Sequence, residues 1–266
     1  MEKVQLVNNE VLFEQGDGIC VITINRPSAY NGITTNVKLG LLDALKKANR
    51  NEDIKAVVLT GAGKGFSAGA DLREMLGEIT PLDVKDDLNT RYNLIIKLIT
   101  ELHKPVIAAI NGTFAGAAIG FASACDVRYM AENAKMRYAF INIGLIPDAG
   151  SSWFLTRAVG YTKAFEIISG GEKISADECL KLGIVNKLLP QEEVLSEAIR
   201  LAKKIAEGPT KAYGHTKKLL QFAVNNTLSD TMAKEAELQS ELIFGHDNRE
   251  GVQAFLEKRK PKFIGK

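Results

Sequence analysis

Cysteine is scarce in this chain. Cys20, Cys125 and Cys179 are its only three, odd in number, widely spaced and without a Cys-x-x-Cys pair. That pattern argues against a disulfide framework and a zinc site, and fits a reducing cytoplasm. Histidine is equally sparse: His103, His215 and His246 stand far apart with no acidic or cysteine cluster beside them, so no metal is expected. No run approaches the ~18 apolar residues of a membrane span. The segment Met1 to Glu14 carries acids and no apolar block, so neither a membrane partner nor a secretory leader is expected. A net charge of only +2 provides no broad field for nucleic acid. A small anion held by a local basic patch is the partner these absences leave.

What is present reads as an α/β protein. A chain of 266 residues can bury roughly three quarters of its unfolded surface. Val11 to Glu14 and Ile19 to Asn25 are β-rich runs around Gly16, Asp17 and Gly18, the signature of a hairpin. From Thr35 to Arg50, Val37, Leu41, Leu42, Leu45 and Ala48 recur at helical spacing, which leaves Lys38, Lys46 and Lys47 on solvated faces. Ala56 to Thr60 and Val106 to Asn111 are continuous apolar runs expected of strands covered on both sides, and Asp83 to Glu101 has helical periodicity. After Gly160 helical signals continue to the end. Ser175 with Glu178, and Asp247 with Glu250, have capping-box spacing, and Gly183 stands where a C-terminal cap belongs. Gly208 and Pro209 form the main break. The chain therefore divides into a core at 1–207 and a helical tail at 208–266 whose apolar positions exceed what three loose helices cover.

Two glycine-alanine segments each follow a strand-like run: Phe66, Ser67, Ala68, Gly69, Ala70, Asp71 and Asn111, Gly112, Thr113, Phe114, Ala115, Gly116, Ala117, Ala118. Small residues at strand-to-helix turns let backbone N–H groups approach a ligand oxygen, and two such turns can converge on one carbonyl. With Asn25, Arg26, Pro27, the run Lys104 to Ile110 and the ending Phe255, Leu256, Glu257, Lys258, Arg259, the chain closely resembles the crotonase (enoyl-CoA hydratase/isomerase) family over nearly its whole length. The resemblance implies a core of ββα superhelical turns followed by a C-terminal helical trimerisation region, and assembly as a homotrimer or a dimer of trimers. It implies an acyl-CoA thioester as substrate, with coenzyme A part of that substrate and no separate cofactor. It places the oxyanion donors at the Ala70 and Ala117 N–H groups, with Ala68, Gly69, Asp71, Leu72 and Phe140 also lining the substrate site. Phe255 and Lys258 match residues that reach coenzyme A from a neighbouring subunit; a solvated lysine on the final helix is the plain alternative. Where the family often has lysine after Arg26 and Pro27, this chain has Ser28. One relative binds RNA through a lysine-bearing helix, but the scattered basic residues here do not support that partner.

Carboxylates distinguish the reactions of this family. Its hydratases use two glutamates to activate one water, and the matching positions here are Gly120 and Phe140, neither of which can move a proton. Asp148, in Ile146, Pro147, Asp148, Ala149, Gly150, Ser151, Ser152, Trp153, falls where some relatives carry a single catalytic acid. One carboxylate suffices to take a proton from C2 and return it at C4. Leu145, Ile146, Phe140 and Trp153 would raise its pKa if they desolvate it. Its alternative role is to cap the N–H of Gly150 or Ser151. The expectation is an acyl-CoA enoyl isomerase of fatty-acid or aromatic-acid catabolism. An enoyl-CoA hydratase of atypical mechanism and a non-catalytic acyl-CoA-binding homologue are the alternatives. A dehalogenase ranks lower, because the stretch near Arg91 to Leu94 lacks the histidine that reaction uses. Gly61, Ala62, Gly63, Lys64, Gly65 lacks the spacing and hydroxyl of a nucleotide phosphate loop.

Overall fold

The computed structural model describes residues 2–76 and 80–266. Strands β1 (Glu2–Asn8), β2 (Val11–Gly16) and β3 (Ile19–Ile24) run antiparallel; the turn sequence predicts the β2–β3 hairpin but not β1. Asp17 and Gly18 close the β2–β3 hairpin at φ 53° and 75°, the left-handed pair whose twist matches a two-residue loop. Thr34 then caps α1 (Thr35–Arg50) by accepting from the Val37 N–H, and the helix buries Val37, Leu41, Leu45 and Ala48. β4 (Ala56–Gly61) lies parallel to β3 and is buried along its whole length.

The predicted Asp83–Glu101 helix is interrupted in register. It consists of α2 (Pro81–Asp87), a π-turn from Leu88 to Tyr92, and α3 (Asn93–Glu101). From the sequence, the polar stretch 76–88 is expected to shape the acyl pocket together with Tyr92; its residues 77–79 lie outside the described residues. β5 (Val106–Ile110), β6 (Phe114–Ala115), α4 (Ala117–Ala124), β7 (Val127–Ala131) and β8 (Lys135–Arg137) follow. α5 (Ser151–Gly170) breaks at Gly160, where φ is 76° and ψ 166°. The region beyond is not purely helical: β9 (Lys173–Ser175) and β10 (Lys187–Leu189) flank α6 (Ala176–Lys181). α7 (Gln191–Ala206), α8 (Thr210–Ala223), α9 (Leu228–Ser240) and α10 (His246–Leu256) complete the chain.

Seven strands form one sheet in the order β1-β2-β3-β4-β5-β7-β10, parallel from β3 onward, and β6-β8-β9 form a second. The large sheet is covered by α1 on its antiparallel side and by α7 against β4, β5 and β7. Burial on both faces explains the unbroken apolar runs of β4 and β5.

Two local expectations are corrected. Lys38 is buried rather than solvated: its Nζ donates to Asp87 Oδ2 at 2.6 Å and sits 4.9 Å from the Tyr92 ring centroid. The ion pair offsets the cost of burying the ammonium. The Asp247–Glu250 capping box does not form, because Gly245 is the N-cap and both acids face the C-terminal residues. Asp247 accepts from the Ile264 and Gly265 N–H groups, and Glu250 from Arg259 and the Lys262 N–H. The Ser175 cap is present, accepting from the Glu178 N–H at 3.2 Å. Helix α8 is also fastened to the core. Buried Lys217 donates to the Ile99 carbonyl at 2.7 Å and to Asp126 Oδ2 at 2.9 Å, while Gln221 donates to the Thr100 carbonyl.

Candidate active site

The two glycine-alanine segments meet. Ser67 bridges Phe114, the Ala115 N–H donates to the Ser67 carbonyl at 3.0 Å, and the Phe66 N–H donates to the Thr113 carbonyl at 3.2 Å. Gly69 and Gly116 lie at the crossing with φ +87° and +54°, a region glycine enters without steric cost. A methyl group on Gly69 would stand 2.7 Å from the Ala115 carbonyl oxygen and 3.3 Å from Gly116 Cα. Bare backbone is therefore a requirement of the contact.

Among the described residues this crossing leaves N–H groups uncommitted, those of Ala70 and Ala117 among them. Around Ala70, the Ala68, Gly69 and Asp71 N–H groups donate to the Tyr30 carbonyl, Ser67 Oγ and the Ile33 carbonyl respectively. Among the described residues the Ala70 N–H meets no acceptor. Ala117 is the first residue of α4, and its N–H is likewise without a partner, as the geometry of a helix start dictates. The turn from Gly61 to Gly65 is held by side chains: Asn31 Nδ2 donates to the Ala62 and Gly65 carbonyls, and Asn111 Nδ2 to those of Gly61 and Gly63. Ala68 and Leu72 are exposed beside the crossing, whereas Phe140 is buried, its ring 3.9 Å from the Cβ position of Gly116.

Asp71 is neutralised by pairing. Arg73 binds it through Nε and Nη2, both at 2.9 Å, and Arg26 Nη1 reaches Oδ2 at 3.0 Å. These guanidiniums hold its carboxyl well below the usual range against the opposing pull of burial. It also caps the short turn Leu72–Met75.

Asp148 is the contrasting group. Its Oδ1 is buried and has no hydrogen-bond partner among the described residues. Burial pushes its pKa up to about 6; its own N–H opposes the rise and Asp87 adds to it. The side chain does not cap α5. The N-cap is Gly150, and it is the Asp148 main-chain carbonyl that accepts from the Ser151 N–H and Oγ. The expected desolvating side chains are only partly responsible. Ile146 is 82% exposed, and Leu145 and Trp153 are also exposed, with the Arg157 guanidinium over the Trp153 ring. The adjoining Ala149 and Gly150 pack on α4 and α3: Gly120 abuts Ala149, and Ile96 lies 3.7 Å from the Cβ position of Gly150. Tyr92, whose ring stacks on Phe121 at 6.0 Å, also faces this charge: burial first, then Asp148, raise its pKa.

Phe255 and Lys258 are not brought to this crossing. Both are exposed, and Phe255 lines a cleft within the tail together with Leu242, Val252 and Phe263. Sequence reasoning missed Asp87 and its partner Lys38, whose spacing looked like that of ordinary surface charges. It also missed the close approach at Gly120, for which no local signal exists.

Stacked parallel strands, helices on their faces and two backbone turns meeting at uncommitted N–H groups define a crotonase-type fold. The chain belongs to the enoyl-CoA hydratase/isomerase family, whose profile it matches over residues 14–266. It is 37% identical over 256 residues to a probable enoyl-CoA hydratase of Rhodobacter capsulatus, covering 96% of this chain and 98% of that one. It is 35% identical to the 1,2-epoxyphenylacetyl-CoA isomerase of Escherichia coli, covering 94% and 96%. Among solved structures, an enoyl-CoA hydratase from Bacillus anthracis superposes with a TM-score of 0.92 at 30% identity, covering 97% of this chain and 100% of that one.

Proposed function

We propose that the protein is an acyl-CoA enoyl isomerase that moves a double bond from the 3 to the 2 position. The Ala70 and Ala117 N–H groups hold the thioester oxygen as it becomes an enolate, each contributing about 2.7–4 kcal/mol of transition-state stabilisation. The α4 macrodipole adds to the second donor. Asp148 takes the C2 proton and returns it at C4, so no water enters the balance. Coenzyme A is part of the substrate, and no other cofactor has a role. The observation that carries this reading is the buried, unpartnered Asp148 oxygen with its pKa raised to about 6, where a carboxylate can both take and return a proton near neutral pH. The isomerase names of relatives from Escherichia coli and, at 33% identity, Streptococcus mutans support it.

The hydratase name of the Rhodobacter relative favours a second reading, an atypical hydratase. Purified protein given 3-enoyl-CoA esters forms the conjugated 2-enoyl product if the first reading holds. Loss of 2-enoyl-CoA absorbance by hydration selects the second, and tight binding with no turnover marks a non-catalytic acyl-CoA-binding protein. The exposed Phe244, Phe255 and Leu256 of the tail support assembly as a homotrimer or a dimer of trimers, which sedimentation would measure. Three buried free cysteines suit the cytoplasm, and no described helix is long and apolar enough to cross a membrane.

A further inference from the structure

Gly120, which the family resemblance matches to a hydratase glutamate, has the space beside it filled by main chain. A Cβ on Gly120 would stand 2.1 Å from the Ala149 carbonyl oxygen and 2.9 Å from Ala149 Cβ. The obstacle is backbone, which cannot swing aside as a flexible side chain could. Ala149 is buried and itself lies at φ +49°, unusual for a residue with a side chain. The surrounding loop is tied down: Ser151 binds the Asp148 carbonyl through N–H and Oγ, and the Tyr138 hydroxyl donates to the Ser151 carbonyl at 3.0 Å.

The geometry points to Gly120 and Ala149 as a positioning pair that seats the Asp148 loop on α4 and thereby confines the site to one acid. Resting on the isomerase reading, this explains more than the loss of a glutamate. Ala117 and Gly120 are one turn apart on α4, so the helix that offers the second N–H also fixes the distance to the acid. Any side chain at 120 must displace residues 148–150, so a carboxylate on α4 and a seated Asp148 exclude one another. Reaction choice between moving a proton and adding water is then set by a backbone contact. The titratable groups facing Asp148 are Asp87 and Tyr92; α4 and the first turn of α5 contain none.

Gly120→Ala is expected to lower isomerisation by about 10²-fold, the cost of a misplacement near 1 Å. Carbon-13 NMR titration of Asp148, which needs no substrate, is expected to move from about 6 towards the usual carboxylate range. Ala149→Gly, which relieves the positive φ and loosens the seat, should move both readouts the same way by a smaller factor; it decides the matter if Gly120→Ala does not fold. Gly120→Glu should gain no hydration of 2-enoyl-CoA. A folded Gly120→Ala protein with wild-type rate and unaltered Asp148 titration would overturn the proposal, as would hydratase activity in Gly120→Glu with Asp148 still seated. If Asp148→Asn keeps full isomerisation, the function reading fails, yet the NMR titration still reads the seat.

Discussion

Asp71 and Asp148 stand in two loops of one candidate site and have opposite fates. The loop after β4 surrounds Asp71 with two guanidiniums, so its charge is fixed and its oxygens are occupied. Among the described residues, Asp148 in the loop before α5 has no cation beside it, and its Oδ1 has no donor. One carboxylate is thereby structural and the other is available for proton transfer. Residue type is identical; burial and partners decide the role.

The largest expected effect breaks this pair apart by activity. Asp148→Asn should reduce isomerisation of 3-enoyl-CoA by roughly 10²- to 10⁴-fold in steady-state assays, because the amide cannot accept the C2 proton. Asp71→Asn should leave far more of the rate. Stability then reverses the ranking. Asp148 titrates at about 6 in the folded protein against 3.8 for the free group, so the fold binds the extra proton between those values. Stability therefore falls as pH rises through that window and levels off above it. Asp148→Asn should consequently raise stability by up to ~3 kcal/mol at pH 8 and by almost nothing near pH 4, measured by urea denaturation at both.

Asp71 has the opposite sign. Its folded pKa is depressed, so its contribution is present above pH 3.8 and is lost as pH falls towards the folded value. Asp71→Asn should cost about 1–3 kcal/mol at pH 7 as charged hydrogen bonds to Arg26 and Arg73 are weakened. In wild type, kcat/KM should rise through an acid limb near pH 6, the Asp148 ionisation, and then plateau. An acid limb at the ordinary carboxylate pKa would erase the contrast. The smallest effect belongs to Arg91→Gln: Arg91 pairs with Asp87 at 2.8 Å, so its loss leaves Asp87 less neutralised and should move that limb slightly upward.

Local signals were legible in proportion to how locally they are caused. The 35–50 helix, the hairpin at Asp17 and Gly18 and the strands at β4 and β5 follow from periodicity and turn chemistry, and the structure has them at the expected places. The two glycine-alanine segments also read as turns that can converge, and Gly69 and Gly116 do lie against one another. The π-turn at Leu88–Tyr92, the burial of Lys38 and the contact of Gly120 with Ala149 depend on residues distant in sequence. Asp247 followed the spacing of a box yet answers to the N–H groups of Ile264 and Gly265. A capping pattern specifies only which bonds are available, and tertiary partners compete for the same oxygens.

Lys217 bears on how the gene could be shortened. An expression product ending after residue 207 would leave Asp126, which reaches the surface, without its ammonium, and would leave the Ile99 carbonyl without a donor. Hydrogen bonds to charged groups contribute about 1.5–3 kcal/mol each, a sizeable share of what an ordinary domain possesses. Helix α8 is thus expected to belong to the minimal folding unit, and trimming experiments should begin no earlier than its end.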